Sequence, residues 1–101
     1  MILFNVLETR ISDLVLGHFL CNNFPSHSVE TFLLRHARGD WGTVNGEIKC
    51  TNQMALREGG RVISRFPIGE FDLVIQSTVE AGFARSRMNV QHTSEHTAVS
   101  A

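Results

Sequence analysis

The sequence lacks an excess of charge of either sign. Nine basic residues stand against ten acidic ones, the formal net charge is −1, and Lys49 is the only lysine. A protein that binds nucleic acid without specificity usually has a basic excess, because neutralising phosphates supplies most of its affinity. A protein that imitates DNA needs the opposite, a densely acidic surface. The overall charge therefore supports neither class.

Cysteine and long apolar runs are also scarce. Cys21 and Cys50 are isolated, whereas a secreted disulfide scaffold carries more cysteines at shorter spacings. The segment from Met1 to Val6 is apolar but has no basic region and no cleavage site, so we do not predict a signal peptide. No apolar run approaches the ~20 residues needed to cross a bilayer. We therefore expect a cytoplasmic protein with two reduced thiols and no membrane partner.

What is present is an ordinary globular composition over 101 residues, of which 43% are hydrophobic and 19% charged. This length suits one domain with one core. We assign residues 1–90 to a single α+β domain. Residues 91–101 are polar, small and unpatterned, and we predict that they form a flexible tail.

Helical signals occupy the first half of the chain. A serine and an aspartate at 12–13 can cap a first helix, and apolar residues follow at helical spacing. A second helix begins at Ser26 or Ser28, after a break that proline imposes. A third helix covers roughly residues 46–58. The apolar run at residues 2–7 is either a strand or the lead-in to the first helix, because periodicity cannot decide at this length.

After the glycine pair at 59–60 the period of the pattern changes to two. Residues 61–68, 70–79 and 83–90 alternate apolar with polar side chains, and short turns connect them. Consecutive strands joined in this way form an antiparallel meander. We therefore predict an α+β fold, with two to three N-terminal helices packed on a C-terminal three-stranded antiparallel β-meander. On the last strand we assign the more apolar set to the inner face: Ala84, Ser86, Met88 and Val90.

No motif for catalysis or cofactor binding stands out. The string H-x-x-E-H at residues 92–96 matches an inverse zinc-protease signature, but it lies in the predicted tail and no acidic third ligand follows it. His36 oriented by Asp40 could form a general base, but no nucleophile or metal set accompanies the pair. No local signature supports a cysteine–histidine pair. We therefore predict a non-enzymatic protein without catalytic residues, metal or cofactor.

A group of polar and amphipathic residues offers a candidate binding surface: His36, Asp40, Trp41, Asn52, Arg61 and Ser64. In the simpler interpretation, Trp41 fills one end of the core, and Asp40 and His36 hold the turn around it. In the other interpretation the group recognises a partner, since tryptophan and arginine often carry binding energy. The sequence leaves both interpretations open.

The segment from Phe32 to Ser64 carries a resemblance to a known family. It reads F-L-L-R-H-A-R-G-D-W-G, then N-Q-M-A-L from residue 52, then G-G-R-V-I-S from residue 59. It resembles small proteins encoded on bacterial plasmids, phages and integrative elements. These are often labelled plasmid-related proteins or type I restriction endonuclease subunit M. They share a helix ending in H-x-x-G-D-W-G, a helix with N-x-x-A-L, then G-x-R-[IV]-[LI]-S and a β-hairpin.

The resemblance covers roughly residues 24–75 and implies a mobile-element setting without a defined activity. This chain departs from the family's pattern in its last strands. By that resemblance the following residues occupy the family's motif positions: His36, Gly39, Asp40, Trp41, Gly42, Asn52, Ala55, Leu56, Gly60, Arg61 and Ser64.

Two functional hypotheses follow. The first is an interaction module that binds a host or mobile-element protein through the Trp41 turn and the adjacent sheet edge, in its concrete form a counter-defence inhibitor of a restriction or CRISPR complex. The second is a nucleic-acid-binding accessory protein with a local basic face on the sheet. The residues of that face are Arg61, Arg65, Arg85 and Arg87. The uncovered edge of a meander also favours a homodimer.

Overall fold

The chain folds into three helices and one sheet. The computed structural model describes residues 2–21 and 28–92, and the predicted α+β class is confirmed over these residues. In chain order the elements are β1 (Asn5–Ile11), α1 (Asp13–Cys21), α2 (Ser28–Ala37), α3 (Gly46–Glu58), β2 (Gly60–Ile68), β3 (Phe71–Glu80) and β4 (Phe83–His92). None of the described helices is both long and apolar enough to cross a membrane.

Local signals explain where the helices begin and end. The Ser12 hydroxyl accepts a hydrogen bond from the Val15 amide at the start of α1. The Asn45 side chain accepts one from the Ile48 amide at the start of α3, which is the interaction that makes asparagine a good N-cap. Gly59 ends α3 with a φ of 85° that other residues rarely adopt. The prediction of a helix over residues 46–58 is therefore confirmed.

The predicted meander is present in the second half of the chain. Antiparallel pairing joins β2 to β3 and β3 to β4. The connecting turns use left-handed backbone at Gly69, with φ 61°, and at Ala81 and Gly82, with φ 52° and 81°. Short turns between consecutive strands fix this order, as the sequence pattern indicates.

The sheet as a whole is larger than predicted, because the N-terminal run adds a fourth strand. The sheet order is β1-β4-β3-β2, and β1 lies parallel to β4. The predicted meander is therefore only part of the sheet, which has four strands and is mixed rather than purely antiparallel. A bulge between Val6 and Glu8 breaks the alternation of β1, and its pairing partner lies over seventy positions away in sequence, so no local pattern reveals it.

Both clusters of the core lie on one side of the sheet, although Asp72 and Val74 of β3 are buried on the other side. One cluster joins α1 and α2 to the end of the sheet near the β2–β3 turn. Its buried members are Val15, Phe19, Val29, Phe66, Ile68, Leu73, Ile75 and Met88. A second cluster joins α2 and α3 to the end of the sheet near the β3–β4 turn. Its buried members are Phe4, Ala37, Ala55, Val62, Val79 and Ala84. The strand residues in both clusters share one face, and the inner face assigned to β4 is confirmed. The opposite face carries no helix of the described chain and is called the open face below.

The C-terminal boundary differs slightly from the prediction. Gln91 and His92 belong to β4 and pair with Asp72 and Phe71 of β3, so the strand continues beyond residue 90. The rest of the predicted tail, including most of the H-x-x-E-H string, lies outside the described residues, as do the proposed helix start at Ser26 and the proline break.

Candidate functional site

The Trp41 turn closes the outer edge of β2. The Arg65 amide donates a hydrogen bond of 3.0 Å to the Trp41 carbonyl, and the Thr43 amide donates one of 2.8 Å to the Arg65 carbonyl. Between them, Gly42 has a φ of 71° and forms a parallel bridge with Arg65. The indole is half-buried and packs against the core cluster that contains Val62. The turn therefore acts as a short extra strand that covers an exposed edge.

Asn52 covers the same edge one step further along β2. Its side-chain amide donates to the Ile63 carbonyl at 2.8 Å, and its carbonyl oxygen accepts from the Ile63 amide at 2.9 Å. The side chain is fully buried. A single asparagine thus supplies both bonds that a neighbouring strand would supply. Together with the Trp41 turn it satisfies the outward backbone groups of two alternate β2 residues.

Gly42→Ala tests this edge closure. The new Cβ would collide with the Arg65 carbonyl, and the residue would have to hold a positive φ. We expect the free energy of unfolding to fall by at least about 2 kcal/mol, measured by urea denaturation. Gly46→Ala is the matched control, because a Cβ there meets no atom within 4 Å, and its effect should stay within about 0.5 kcal/mol. Equal effects of the two variants would contradict the closure.

His36 lies at the centre of a buried polar chain. Its Nδ1 lies 2.5 Å from the Ser64 hydroxyl oxygen, and its Nε2 lies 2.7 Å from that of Ser77. The Ser77 hydroxyl in turn lies 2.6 Å from that of Ser86. All four side chains are buried, and Phe4 packs edge-on to the imidazole. Burial lowers the pKa of His36 from 6.5 to about 4, so the ring is neutral at pH 7 and ties α2 to three strands.

Asp40 stays at the surface. Its carboxylate accepts a hydrogen bond from the Arg35 Nε at 2.7 Å and a long one from the Gly42 amide at 3.4 Å. The hydrogen bond from Arg35 is the main reason that the pKa of Asp40 lies below its usual value. Both side chains are about half exposed, so this pair orients the turn but adds little stability.

The six residues of the predicted binding surface do not form one surface in the structure. His36, Asn52 and Ser64 are interior groups with satisfied hydrogen bonds. Asp40 and the half-buried Trp41 belong to the turn at the β2 edge. Arg61 is exposed and lies on the open face. As in the simpler interpretation, Trp41 packs against the core and Asp40 accepts a hydrogen bond within the turn. The His36 ring instead bonds to serines of β2 and β3 rather than to the turn.

The open face brings together the four arginines of the second hypothesis. Arg61 pairs in register with Thr78, and Thr78 with Arg85, which forms one row across β2, β3 and β4. The next row runs from Ile63 through Gln76 to Arg87. Alternation along the strands puts Arg61, Arg65, Arg85 and Arg87 all opposite the helices. Strand β1 adds Arg10 beside Arg87, and Arg65 is paired with Asp72. We therefore call Arg61, Arg85, Arg87 and Arg10 the arginine face.

Residues that sequence reasoning missed complete this face. Strand β1 adds Glu8 beside Arg85 and Arg10 beside Arg87. A shallow groove of about 320 Å³ runs between these strands, lined by Glu8, Arg10, Arg61, Gln76, Thr78, Arg85, Ser86 and Arg87. The sequence does not place Arg10 and Glu8 here, because the run at residues 2–7 is open between strand and helix and residues 8–11 are assigned to no element.

The charge of the chain is unevenly distributed. The open face holds five of the nine basic residues, against three carboxylates, those of Glu8, Asp72 and Glu80. Asp72 pairs with Arg65 at 3.2 Å in a partly buried site, and Glu8 approaches Arg10 at 3.7 Å in an exposed one. Within the described residues, no carboxylate forms an ion pair with Arg61, Arg85 or Arg87. A local net charge of +2 therefore lies on one face of a chain whose formal total is −1.

Two further features distinguish the open face. Arg10 and Arg87 lie directly across from each other in the β1–β4 register, and like charges in such positions are destabilising. At the end of the face, Phe83 and Leu7 are 48% and 64% exposed and share a second groove with Thr78 and Arg85. Phe83 lies beside Arg85, which forms no ion pair with a described residue, and directly across from Glu80. An exposed aromatic ring beside an arginine has both parts of a stacking site.

No group of three or more histidine, cysteine or acidic side chains within the described residues could hold a metal ion. No known protein-family model, curated protein or solved structure matches this chain.

Proposed function

We propose that this protein is a non-enzymatic binding module that holds single-stranded nucleic acid on its open sheet face. The proposal rests on one observation. Arg61, Arg85 and Arg87 form no ion pair with any described residue, yet they gather with Arg10 around a single groove. Arginine side chains placed in this way are matched by a ligand that supplies repeated anionic groups.

The phosphate backbone is the ligand component that fits the arginines. The guanidinium group donates several hydrogen bonds in a planar arrangement that suits phosphate oxygens. Arg61 and Arg85 flank Thr78 in one row, and Arg87 and Arg10 are neighbours in the next. A strand of nucleic acid lying across the groove would meet these side chains in succession. Its phosphates would also relieve the repulsion between Arg10 and Arg87.

The remaining side chains of the face suit unpaired bases. Phe83 exposes nearly half of its surface at one end of the face, and base–aromatic stacking is largely independent of sequence. Gln76 and Thr78 in the middle of the groove offer hydrogen-bond donors and acceptors for base edges. Splayed-out bases are available only on single strands or loops.

A duplex ligand is less well matched. Reading the major groove requires a helix or a two-stranded ribbon that enters it. The open face is a broad four-stranded surface, and its edges are β1 and the covered strand β2. We therefore expect single strands to bind more tightly than a duplex of the same length.

The protein-partner hypothesis, with its counter-defence form, has weaker support. Three of the six residues that would carry it are buried, and Asp40 is engaged by Arg35. An acidic protein surface would contact the same arginines as a nucleic acid does. Binding to an acidic polypeptide but not to an oligonucleotide is therefore one outcome that would overturn the proposal.

A salt series tests the proposal. Fluorescence anisotropy would follow a labelled oligothymidylate of about a dozen nucleotides as the protein is added, from about 50 to 200 mM salt. Three to four phosphate contacts predict a slope of roughly −2 to −3 in log K against log salt, since each contact contributes about −0.7 on a single strand. Undetectable or salt-independent binding, or tighter binding of the matched duplex, would contradict it.

A further inference from the structure

The two edges of the sheet differ in how they are covered. The outward backbone groups of Ile63 and Arg65 on β2 are satisfied by Asn52 and by the Trp41 turn. Strand β1 forms the other edge and pairs only with β4 within the described chain. Beyond the bulge, residues 8–11 form a regular open edge, which is a template for another strand.

Exposed apolar side chains concentrate around this open edge. Within the described residues, the large exposed ones are Ile2, Leu3, Leu7, Leu14, Leu16, Leu34, Met54 and Phe83. The first five lie on β1 or within five positions of it. Leu34 lines the same apolar groove as Ile2, and Phe83 begins β4 opposite Asn5. Met54 alone lies elsewhere, so the apolar surface follows β1.

Two copies of β1 have complementary charges when they pair in antiparallel orientation. If a second β1 runs antiparallel about a two-fold axis at Thr9, each Glu8 lies opposite Arg10 of the other copy. Opposite charges at directly paired positions stabilise an antiparallel pair, as do paired threonines. Both charged side chains are exposed, at 54% and 77%, and their contact within one chain is long, at 3.7 Å. Each can therefore exchange it for the partner across the two-fold axis. A two-fold interface of this kind is closed and isologous.

The ends of the strand are complementary as well. In an antiparallel pair, the C-terminal end of one β1 lies beside the N-terminal end of the other. Leu14 and Leu16 follow the C-terminal end, in the first turns of α1, and are 61% and 46% exposed. The apolar groove lined by Ile2 and Leu34, about 230 Å³ in volume, lies at the N-terminal end. Pairing thus places the start of α1 of each copy near the groove of the other.

We infer that two copies of this chain dimerise through β1, in antiparallel register centred on Thr9. The two four-stranded sheets then form one sheet of eight strands. Cross-strand neighbours point to the same face, so both arginine faces lie on one side of the dimer. The inference does not depend on nucleic-acid binding, because it rests on the edge, the apolar surface and the register alone.

A cysteine placed on the two-fold axis tests the register. In a chain with Cys21 and Cys50 replaced by serine, Thr9→Cys puts the two thiols on directly paired positions, where a disulfide can close. We expect light scattering to give the mass of two chains for the wild type, and mild oxidation of the variant to give a covalent dimer. An equal mixture of Glu8→Cys and Arg10→Cys chains should cross-link between the two variants.

Matched variants distinguish this register from chance collisions. Glu8→Cys alone and Arg10→Cys alone should cross-link at least tenfold less than Thr9→Cys, because like positions are then more than about 7 Å apart. Thr78→Cys, exposed on the open face, should behave in the same way. A wild-type mass of one chain at tens of micromolar would overturn the inference. A dimer that cross-links equally at Thr78 or Glu8 would overturn it too.

Discussion

Replacing Arg85 and Arg87 with glutamate is expected to weaken binding to a single-stranded oligonucleotide by roughly 100-fold or more at low salt. Both side chains lie on the arginine face in adjacent rows of β4 and form no ion pair with a described residue. Reversal removes two phosphate contacts and adds repulsion. The salt slope should also become shallower by about 1.4, since each single-strand phosphate contact contributes about 0.7. Anisotropy titrations at several salt concentrations measure both effects.

The control variant changes the net charge by the same amount as the test variant, but on another surface. Arg38 and Arg57 are exposed beside and on the helices, and their replacement by glutamate should change the affinity by less than about threefold at 150 mM salt, where distant charges are screened. Equal loss in both double variants would mean that total charge, not the arginine face, governs binding. Retained affinity in the Arg85 and Arg87 variant would contradict the proposed site.

The like charges of the arginine face should also lower the free energy of unfolding. Arg87→Thr removes the like-charge pairing with Arg10 and places a good strand former in β4. We expect the free energy of unfolding to stay unchanged or to rise by a few tenths of a kcal/mol, while the oligonucleotide affinity falls severalfold. Urea denaturation and anisotropy on the same sample measure the two quantities. Destabilisation by more than about 1 kcal/mol would indicate that Arg87 has a structural role.

Lowering the pH from 7 to 4 is expected to cost about 3 kcal/mol of stability through His36 alone. Burial lowers its pKa in the folded protein to about 4, against 6.5 for an exposed histidine. Between these two values the unfolded chain takes up the proton and the folded chain does not, so stability falls as the pH falls through this window. Below about pH 4 both states are protonated, and this contribution levels off.

A variant without this titration isolates the effect. His36→Gln retains a hydrogen-bonding side chain for Ser64 and Ser77 but has no group that titrates between pH 4 and 7. We expect it to be less stable than the wild type at pH 7, by about 2 kcal/mol or more, and expect this difference to shrink as the pH falls to 4. Urea denaturation at each pH gives the two curves. Parallel curves would show that His36 is not buried in its neutral form.

Sequence reasoning succeeded where the signals are local. Asn45 and Gly59 mark the ends of α3 because a side-chain cap and a left-handed glycine are properties of a few neighbouring residues. The alternation in β2 and β4 predicts their buried faces because each of these strands covers the core on one side. In β3 it predicts the inner face, but Asp72 and Val74 are buried on the other side as well. The same alternation predicts one face for Arg61, Arg65, Arg85 and Arg87, and the strand register places them on one face.

It failed where the structure depends on distant partners. Strand β1 pairs in parallel with β4 across most of the chain, and a bulge at Leu7 disturbs its pattern. Arg10 was therefore absent from the predicted face. The sequence also left open whether His36 and Asn52 hold the fold or bind a partner, for a similar reason. Asn52 is a helix residue that acts as a strand neighbour. The buried ring of His36 contacts Ser64 of β2 and Ser77 of β3, which are distant in sequence.

Nuclear magnetic resonance would test the central claim most directly. Backbone amide signals of the labelled protein would be followed as an unlabelled oligothymidylate is added at low salt. Binding on the open face predicts that the largest shifts map to Arg61, Gln76, Thr78, Arg85 and Arg87, and that amides of α3 around Lys49 shift least. Shifts centred on the Trp41 turn or on the helices, or no shifts at all, would contradict the claim that this face holds single-stranded nucleic acid.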